Sequence, residues 1–128
     1  MDKNEVIKYW TDTANADYQT MLNLFNSKDY NWSLFIGHLV IEKLLKALYV
    51  KNVSVEIPKT HDLLRLAEKS IRDLDENKKD LLDIITTFNI SARYPDYKQS
   101  FYKKCTYDFT SGNIEKIKEL RTWILSIL

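Results

Sequence analysis

The stretch "WSLFIGHLVIEKLLKALYV", residues 32–50, decides the fold that the sequence predicts. Its apolar residues cover most of the circumference of a helix, which is typical of a helix at the centre of a bundle or against a partner chain. His38, Glu42, Lys43 and Lys46 interrupt the apolar run. A membrane span needs roughly 20 uninterrupted apolar residues, so this stretch is better interpreted as a buried helix.

The rest of the 128-residue chain also indicates helices. It contains only two glycines and two prolines, and apolar residues repeat at helical spacing along most of its length. The predicted helices cover about residues 4–27, 31–51 and 61–73, a fourth segment that ends before Pro95, and a last segment after Ser111. The residues expected to cap the later four helices are Asn31, Thr60, Asp75 and Ser111. The sequence therefore predicts an all-α fold, a single-domain up-and-down bundle of about five helices over residues 1–128.

Composition limits the classes of function. Hydrophobic residues make up 45% of the chain and charged residues 29%, which is typical of a soluble globular domain. Lys and Arg number 19 and Asp and Glu 18, so any nucleic acid would have to be bound by a local patch and not by bulk charge. Cys105 has no second cysteine to pair with, and the N-terminus lacks the apolar core of a signal peptide. We expect a cytoplasmic protein that does not associate with membranes.

The polar residues of the central helix form the first candidate site. His38, Glu42 and Lys46 are four residues apart and project from nearly one helix face, with Lys43 beside them. They can bind a ligand, or they can be the polar side of the helix with an ion pair worth a few tenths of a kcal/mol. Because unpaired charge near a core is costly, we expect partners on other elements.

The two histidines do not indicate a metal site. His61 follows Thr60 at the predicted start of the third helix, where the positive helix end favours a neutral imidazole. It is either a capping-region histidine or part of a binding site. Its distance along the chain from His38 and from the lone Cys105 matches no zinc-ligand spacing, and no glycine-rich phosphate loop is present. The sequence predicts neither a metal nor a cofactor.

A third feature is "FNISARYPDYK", residues 88–98, at the end of the fourth predicted helix. Arg93 with Tyr94 and Tyr97 can hold a phosphate and stack on bases, as in nucleic-acid sites. The same residues are also typical of a helix end, where the dipole favours arginine and tyrosines pack on the bundle. Asp96 completes this candidate cluster, and composition leaves both interpretations open.

Several of these stretches, taken in order, resemble the prokaryotic HEPN domains, named for higher eukaryotes and prokaryotes nucleotide-binding. The similar blocks are "KYWTDTANADYQTMLNLF", "SLFIGHLVIEKLLKALYV", "IPKTHDLLRLAEKS", "FNISARYPDYK" and "FTSGNIEKIKELRTWI". The resemblance implies a helical bundle, commonly a homodimer, often encoded beside a small nucleotidyltransferase as a two-component, toxin-antitoxin-like pair. It also implies a nucleotide- or RNA-binding role as an interaction subunit.

Many HEPN proteins are metal-independent ribonucleases, and their usual motif is an arginine followed four to six residues later by a histidine. Arg93 matches that arginine, but both histidines precede all four arginines, and Tyr97 and Lys98 occupy two of the distances at which the histidine would fall. The alternative function is therefore an RNA endonuclease with an unusual site, in which Arg93 acts with His38 or His61. The ligand-binding residues that we predict are His38, Glu42, Lys43, Lys46, His61, Arg93, Tyr94, Asp96 and Tyr97.

Overall fold

The computed structural model describes residues 2–128, in which every regular element is an α-helix. The helices are α1 Lys3–Asn26, α2 Tyr30–Asn52, α3 Leu63–Ser70, α4 Glu76–Arg93, α5 Pro95–Lys104 and α6 Tyr107–Ile127. The all-α prediction is confirmed, but residues 2–128 form six helices and not about five. Each helix within residues 2–128 is too short or too polar to span a membrane.

The extra helix, α5, begins at the proline that was expected only to end a helix. Tyr94 is at once the C-cap of α4 and the N-cap of α5, and Pro95 occupies the first turn of α5. Proline breaks a preceding helix but suits the first turn of a new one, where no backbone N–H is needed. The last helix also begins earlier than predicted, because Thr106 and not Ser111 caps it by accepting a hydrogen bond from the Phe109 amide at 3.2 Å.

Two other predicted caps are wrong. Helix α2 starts at Tyr30, so Asn31 lies inside its first turn and Asp29 occupies the cap position. Helix α3 starts at Leu63, where the Asp62 side chain accepts from the Arg65 amide at 3.2 Å. The Thr60 hydroxyl accepts from the Asp62 amide instead, which forms a turn before the helix. His61 therefore lies in the connector, while the predicted Asp75 cap of α4 is correct.

Helix α2 lies at the centre of the bundle and contacts each of the other helices. Its buried apolar side chains, together with those of the surrounding helices, form one hydrophobic core. Gly37 marks the closest approach, since a Cβ at this position would lie 2.6 Å from Ile117 Cδ1 and 3.1 Å from Met21 Sδ. The missing side chain of Gly37 lets α1 and α6 pack directly against α2.

This contact predicts opposite effects for two glycine-to-alanine substitutions. Gly37→Ala should lower the free energy of unfolding by about 1 to 2 kcal/mol, because the clash with Ile117 outweighs the helix propensity of alanine. Gly112→Ala should raise it by up to about 1 kcal/mol, because a Cβ there meets nothing within 4 Å. Urea denaturation measures both variants. Equal stabilisation by the two substitutions would contradict the close packing at Gly37.

Candidate functional site

The charged residues of α2 have partners on other elements. Glu42 is almost fully buried, and its Oε1 atom accepts a hydrogen bond from Nδ1 of His61 at 2.7 Å. Its Oε2 atom lies 3.2 Å from Nζ of Lys46, one turn along the same helix. Lys43 forms a separate ion pair with Asp17 of α1, with Nζ 2.6 Å from Oδ2. The buried carboxylate of Glu42 thus joins α2 to the connector that carries His61.

One nitrogen of the His61 imidazole is hydrogen-bonded within the protein, and the other is not. Its side chain is 63% exposed, although Nδ1 donates to the buried Glu42 carboxylate. This hydrogen bond fixes the ring orientation and places the proton of the neutral form on Nδ1. Nε2 has no hydrogen-bond partner among residues 2–128, so it is free to bind a ligand or accept a proton.

His38 supports this arrangement from inside the core. Its Nε2 atom donates to the backbone carbonyl of His61 at 3.0 Å, and its Nδ1 atom lies 3.5 Å from the amide nitrogen of Asn89. Desolvation by burial lowers the pKa of His38 below its ordinary value, although the His61 carbonyl and Glu42 oppose this shift. His38 is therefore a neutral, buried residue that positions the connector and does not reach solvent.

Asn89 is the residue that the sequence reasoning missed. It is buried on α4, and it links His38 to Arg93: the guanidinium Nε donates to the Asn89 carbonyl at 3.2 Å, and Nη2 donates to the Asn89 side-chain oxygen. The one available signal was a polar residue inside the apolar stripe of α4, one helical turn before Arg93. No carboxylate forms an ion pair with Arg93 anywhere in residues 2–128.

His61 and Arg93 line one surface depression of about 400 Å³, here called the His61–Arg93 pocket. Its lining residues are His61, Asp62, Thr86, Asn89, Ile90, Arg93 and Tyr94. Cζ of Arg93 lies 5.5 Å from the centre of the Tyr94 ring and 5.6 Å from that of Phe35. Aromatic faces at this distance hold the guanidinium without neutralising its charge. The pocket therefore offers a cation, an open imidazole nitrogen and an exposed aromatic ring.

The other predicted ligand-binding residues do not line this pocket. Lys46 lies over the Trp10 ring, with Nζ 4.8 Å from its centre, and Lys43 contacts α1 through Asp17. Asp96 is exposed in the first turn of α5. Tyr97 lines a different cavity of about 660 Å³ between α4, α5 and α6. Of the predicted set, His61, Arg93 and Tyr94 meet at the surface, with His38 and Glu42 beneath them.

The described part of the chain offers no cluster of metal ligands. Among residues 2–128, no group of three or more His, Cys, Asp or Glu side chains is placed to hold a metal ion. Cys105 is buried, and desolvation raises the pKa of its thiol to about 11. A thiol with so high a pKa is a poor nucleophile and a poor metal ligand at neutral pH.

Burial of neutral His38 predicts that stability falls on mild acidification. The unfolded chain takes up a proton near the ordinary pKa of 6.5, whereas folded His38 has a lowered pKa and resists protonation. Stability from this group is thus present at pH values above 6.5 and is lost as the pH falls from there toward the lowered pKa of the folded state. Urea denaturation between pH 7 and pH 5.5 of the wild type and of His38→Gln measures the effect. An equal pH dependence in both proteins would contradict the assignment.

Comparison with known proteins gives three results. The HEPN domain family model matches residues 7–127 of the chain. No curated protein matches it. The crystal structure of TT1696 from Thermus thermophilus superposes with a TM-score of 0.82 at 17% sequence identity, and the match covers 95% of this chain and 98% of that one. At this identity, the superposition shows a shared fold.

Proposed function

This chain belongs to the HEPN domain family, and on that premise we propose that it binds a nucleotide or RNA with a phosphate in the His61–Arg93 pocket. Family membership supports a nucleotide- or RNA-related role. The pocket supplies the chemistry that such a ligand needs, since it joins a cationic donor to an exposed aromatic ring.

The observation that carries this proposal is that the Arg93 guanidinium is oriented by Asn89 and has no counter-ion within residues 2–128. A guanidinium has five N–H donors, and Asn89 accepts hydrogen bonds from two of its nitrogens, so donors on Nη1 remain available. Asn89 orients the group, and no carboxylate neutralises it within residues 2–128. An oriented guanidinium without a counter-ion suits a phosphate, which it can bind through two parallel hydrogen bonds.

Isothermal titration calorimetry with AMP and with a short single-stranded RNA tests the proposal. We expect saturable binding that weakens as salt is raised, because the contact is between a cation and a phosphate. His61→Asn measures the contribution of His61 to binding, since it changes this side chain and leaves Arg93 in place. Absence of binding by both ligands at low salt would contradict the proposal.

A second candidate function, metal-independent RNA cleavage, is favoured by the hydrogen bond between Glu42 and His61. In this arrangement a carboxylate orients the imidazole through Nδ1 and leaves Nε2 free, so His61 is placed as a general base would be. His61 would take the proton of a 2′-hydroxyl, the 2′-oxygen would bond to phosphorus, and the bond to the 5′-oxygen would break as that oxygen takes a proton from water. Arg93 would stabilise the charge on the phosphoryl oxygens. Intact RNA after prolonged incubation with concentrated protein would contradict this candidate.

The protein partners that we propose are a second copy of the chain and a small nucleotidyltransferase in a toxin-antitoxin-like pair. The first is supported by exposed apolar side chains, such as Trp32 on α2 and Ile90 on α4, and the second by the family. Light scattering of the purified protein at tens of micromolar tests dimerisation, and a monomer there would contradict it. Co-expression with the neighbouring gene, followed by mass spectrometry of what co-purifies, tests the other partner.

A further inference from the structure

A second cavity lies between α4, α5 and α6, and we call it the α4–α6 groove. Ile84 and Ser91 of α4 line this groove, whereas Asn89 and Arg93 line the His61–Arg93 pocket. At about 100° per residue, these two sets project from opposite sides of the helix. The groove has a volume of about 660 Å³, within the range of small-molecule sites, roughly 300 to 1,000 Å³. It is therefore a separate candidate for a binding site.

The floor of the α4–α6 groove is apolar. Phe88 and Phe101 lie at its base with their ring centres 5.8 Å apart, and the half-buried Phe109 of α6 also lines it. On the rim, Ile84 is 42% exposed and Tyr97 is 55% exposed. Exposed apolar surface in a concave site is typical of a surface that binds an apolar group.

Gly112 of α6 keeps the α4–α6 groove open. A glycine inside a helix is less stable than an alanine, and a Cβ at this position would meet nothing within 4 Å. No contact within residues 2–128 therefore requires a glycine there, in contrast to Gly37, where a Cβ would lie 2.6 Å from Ile117 Cδ1. Gly112 lines the groove, so a side chain at residue 112 would take up space that a ligand can fill.

The charges of the α4–α6 groove are unequal at its two ends. Lys104 lies at one end, with Nζ 5.2 Å from the centre of the Phe109 ring, and Asp108 lines the groove there. Lys116 lies seven residues after Phe109, which places it about 10 Å further along the axis of α6. Neither lysine forms an ion pair within residues 2–128. Because Asp108 offsets the charge of Lys104, the free positive charge lies at the Lys116 end.

We propose that the α4–α6 groove binds an apolar monocarboxylate, such as a medium-chain fatty acid, with its carboxylate at Lys116 and its chain over the phenylalanine rings. This inference does not rest on the proposed function. A cation at one end of an apolar floor matches a ligand with one anionic head and an apolar chain. A nucleotide fits the groove less well, because its sugar would lose hydrogen bonds with water against the phenylalanine rings.

Isothermal titration calorimetry with decanoate, below its micelle concentration, tests the inference. We expect saturable binding of one decanoate per chain. Hexanoate should bind at least about 10-fold more weakly, because its shorter chain buries fewer CH₂ groups. Decyltrimethylammonium has the same chain length and the opposite charge, and it should also bind at least about 10-fold more weakly.

Two variants locate the site. Gly112→Leu should weaken decanoate binding at least about 10-fold by filling the groove, and its urea midpoint should not fall, because leucine has the higher helix propensity. Lys116→Ala should weaken binding about 5-fold by removing the cation. Lys103→Ala is the matched control, since Lys103 is exposed on α5 and does not line the groove, and its affinity should stay within about twofold.

The outcomes distinguish this inference from the proposed function. Equal binding of decanoate and hexanoate, or unchanged binding in both Gly112→Leu and Lys116→Ala, would overturn the inference. It would also be overturned if decanoate does not bind and Gly112→Leu converts a dimer to a monomer in light scattering, since a second copy would then cover the groove. If AMP does not bind but decanoate does, the proposed function fails and this inference stands. Lys116 is exposed, so its variant keeps the test decisive if Gly112→Leu does not fold.

Discussion

Replacing Arg93 with alanine should weaken binding of single-stranded RNA and of AMP by about 10- to 100-fold, because hydrogen bonds to a charged group contribute roughly 1.5 to 3 kcal/mol. The substitution also leaves the side-chain oxygen of buried Asn89 without its hydrogen-bond donor, so the free energy of unfolding should fall by about 1 to 2 kcal/mol. Calorimetric titration gives the first quantity and urea denaturation the second. A large loss of affinity in a variant that still unfolds cooperatively is the expected result.

Two control variants distinguish a specific phosphate site from general attraction to positive charge. Arg93→Lys keeps the charge but lacks the planar guanidinium that Asn89 orients, so its affinity should lie between those of the wild type and the alanine variant. Arg72→Ala removes an exposed arginine after α3 and should leave affinity nearly unchanged. Equal losses in Arg72→Ala and Arg93→Ala would show bulk electrostatic binding and contradict the proposed site.

Replacing Glu42 with alanine should lower the free energy of unfolding by about 3 kcal/mol, the largest effect on stability that we expect. The Glu42 side chain is 4% exposed, so the change leaves a cavity and removes the counter-charge of Lys46. It also removes the acceptor that orients His61, so RNA affinity, and any cleavage, should fall as well. Urea denaturation and calorimetry on the same preparation measure both effects.

Glu42→Gln and Glu76→Ala are the controls for this prediction. Glutamine keeps the volume and one acceptor oxygen, so it should be less destabilising than alanine. Glu76 pairs with Lys79 at 3.5 Å on the surface of α4, and its loss should change stability by no more than about 0.5 kcal/mol. If Glu42→Ala is as mild as Glu76→Ala, the buried carboxylate does not hold the site together.

The sequence predicted the positions of most helices more accurately than the residues at which they begin and end. Apolar spacing located α1, α2 and α4 within one or two residues, because burial of a helix face leaves a periodic pattern. It failed around Pro95, since one proline ends α4 and begins α5, and the mostly polar α5 buries little besides Phe101. The cap of α3 could not be predicted because Thr60 and Asp62 both suit a helix start, and their spacing does not show which one caps the helix.

The candidate site was only partly predictable because most of its contacts join distant parts of the chain. Spacing within α2 placed His38 and Glu42 on one face, but nothing in it showed that Glu42 pairs with His61 or that His38 lies beside Asn89. Arg93 was found from its aromatic neighbours, whereas Asn31 was interpreted as a cap. Only tertiary structure shows that Asn31 lies inside α2 and is buried.

NMR of the imidazole signals on titration with a short single-stranded RNA tests the central claim most directly. The chain has two histidines, so two ring signals report on the pocket and on the core beneath it. The exposed His61 signal should shift progressively and saturate, while the buried His38 signal should change much less. A spectrum in which RNA binds but the His61 signal stays in place would contradict a phosphate site in the His61–Arg93 pocket.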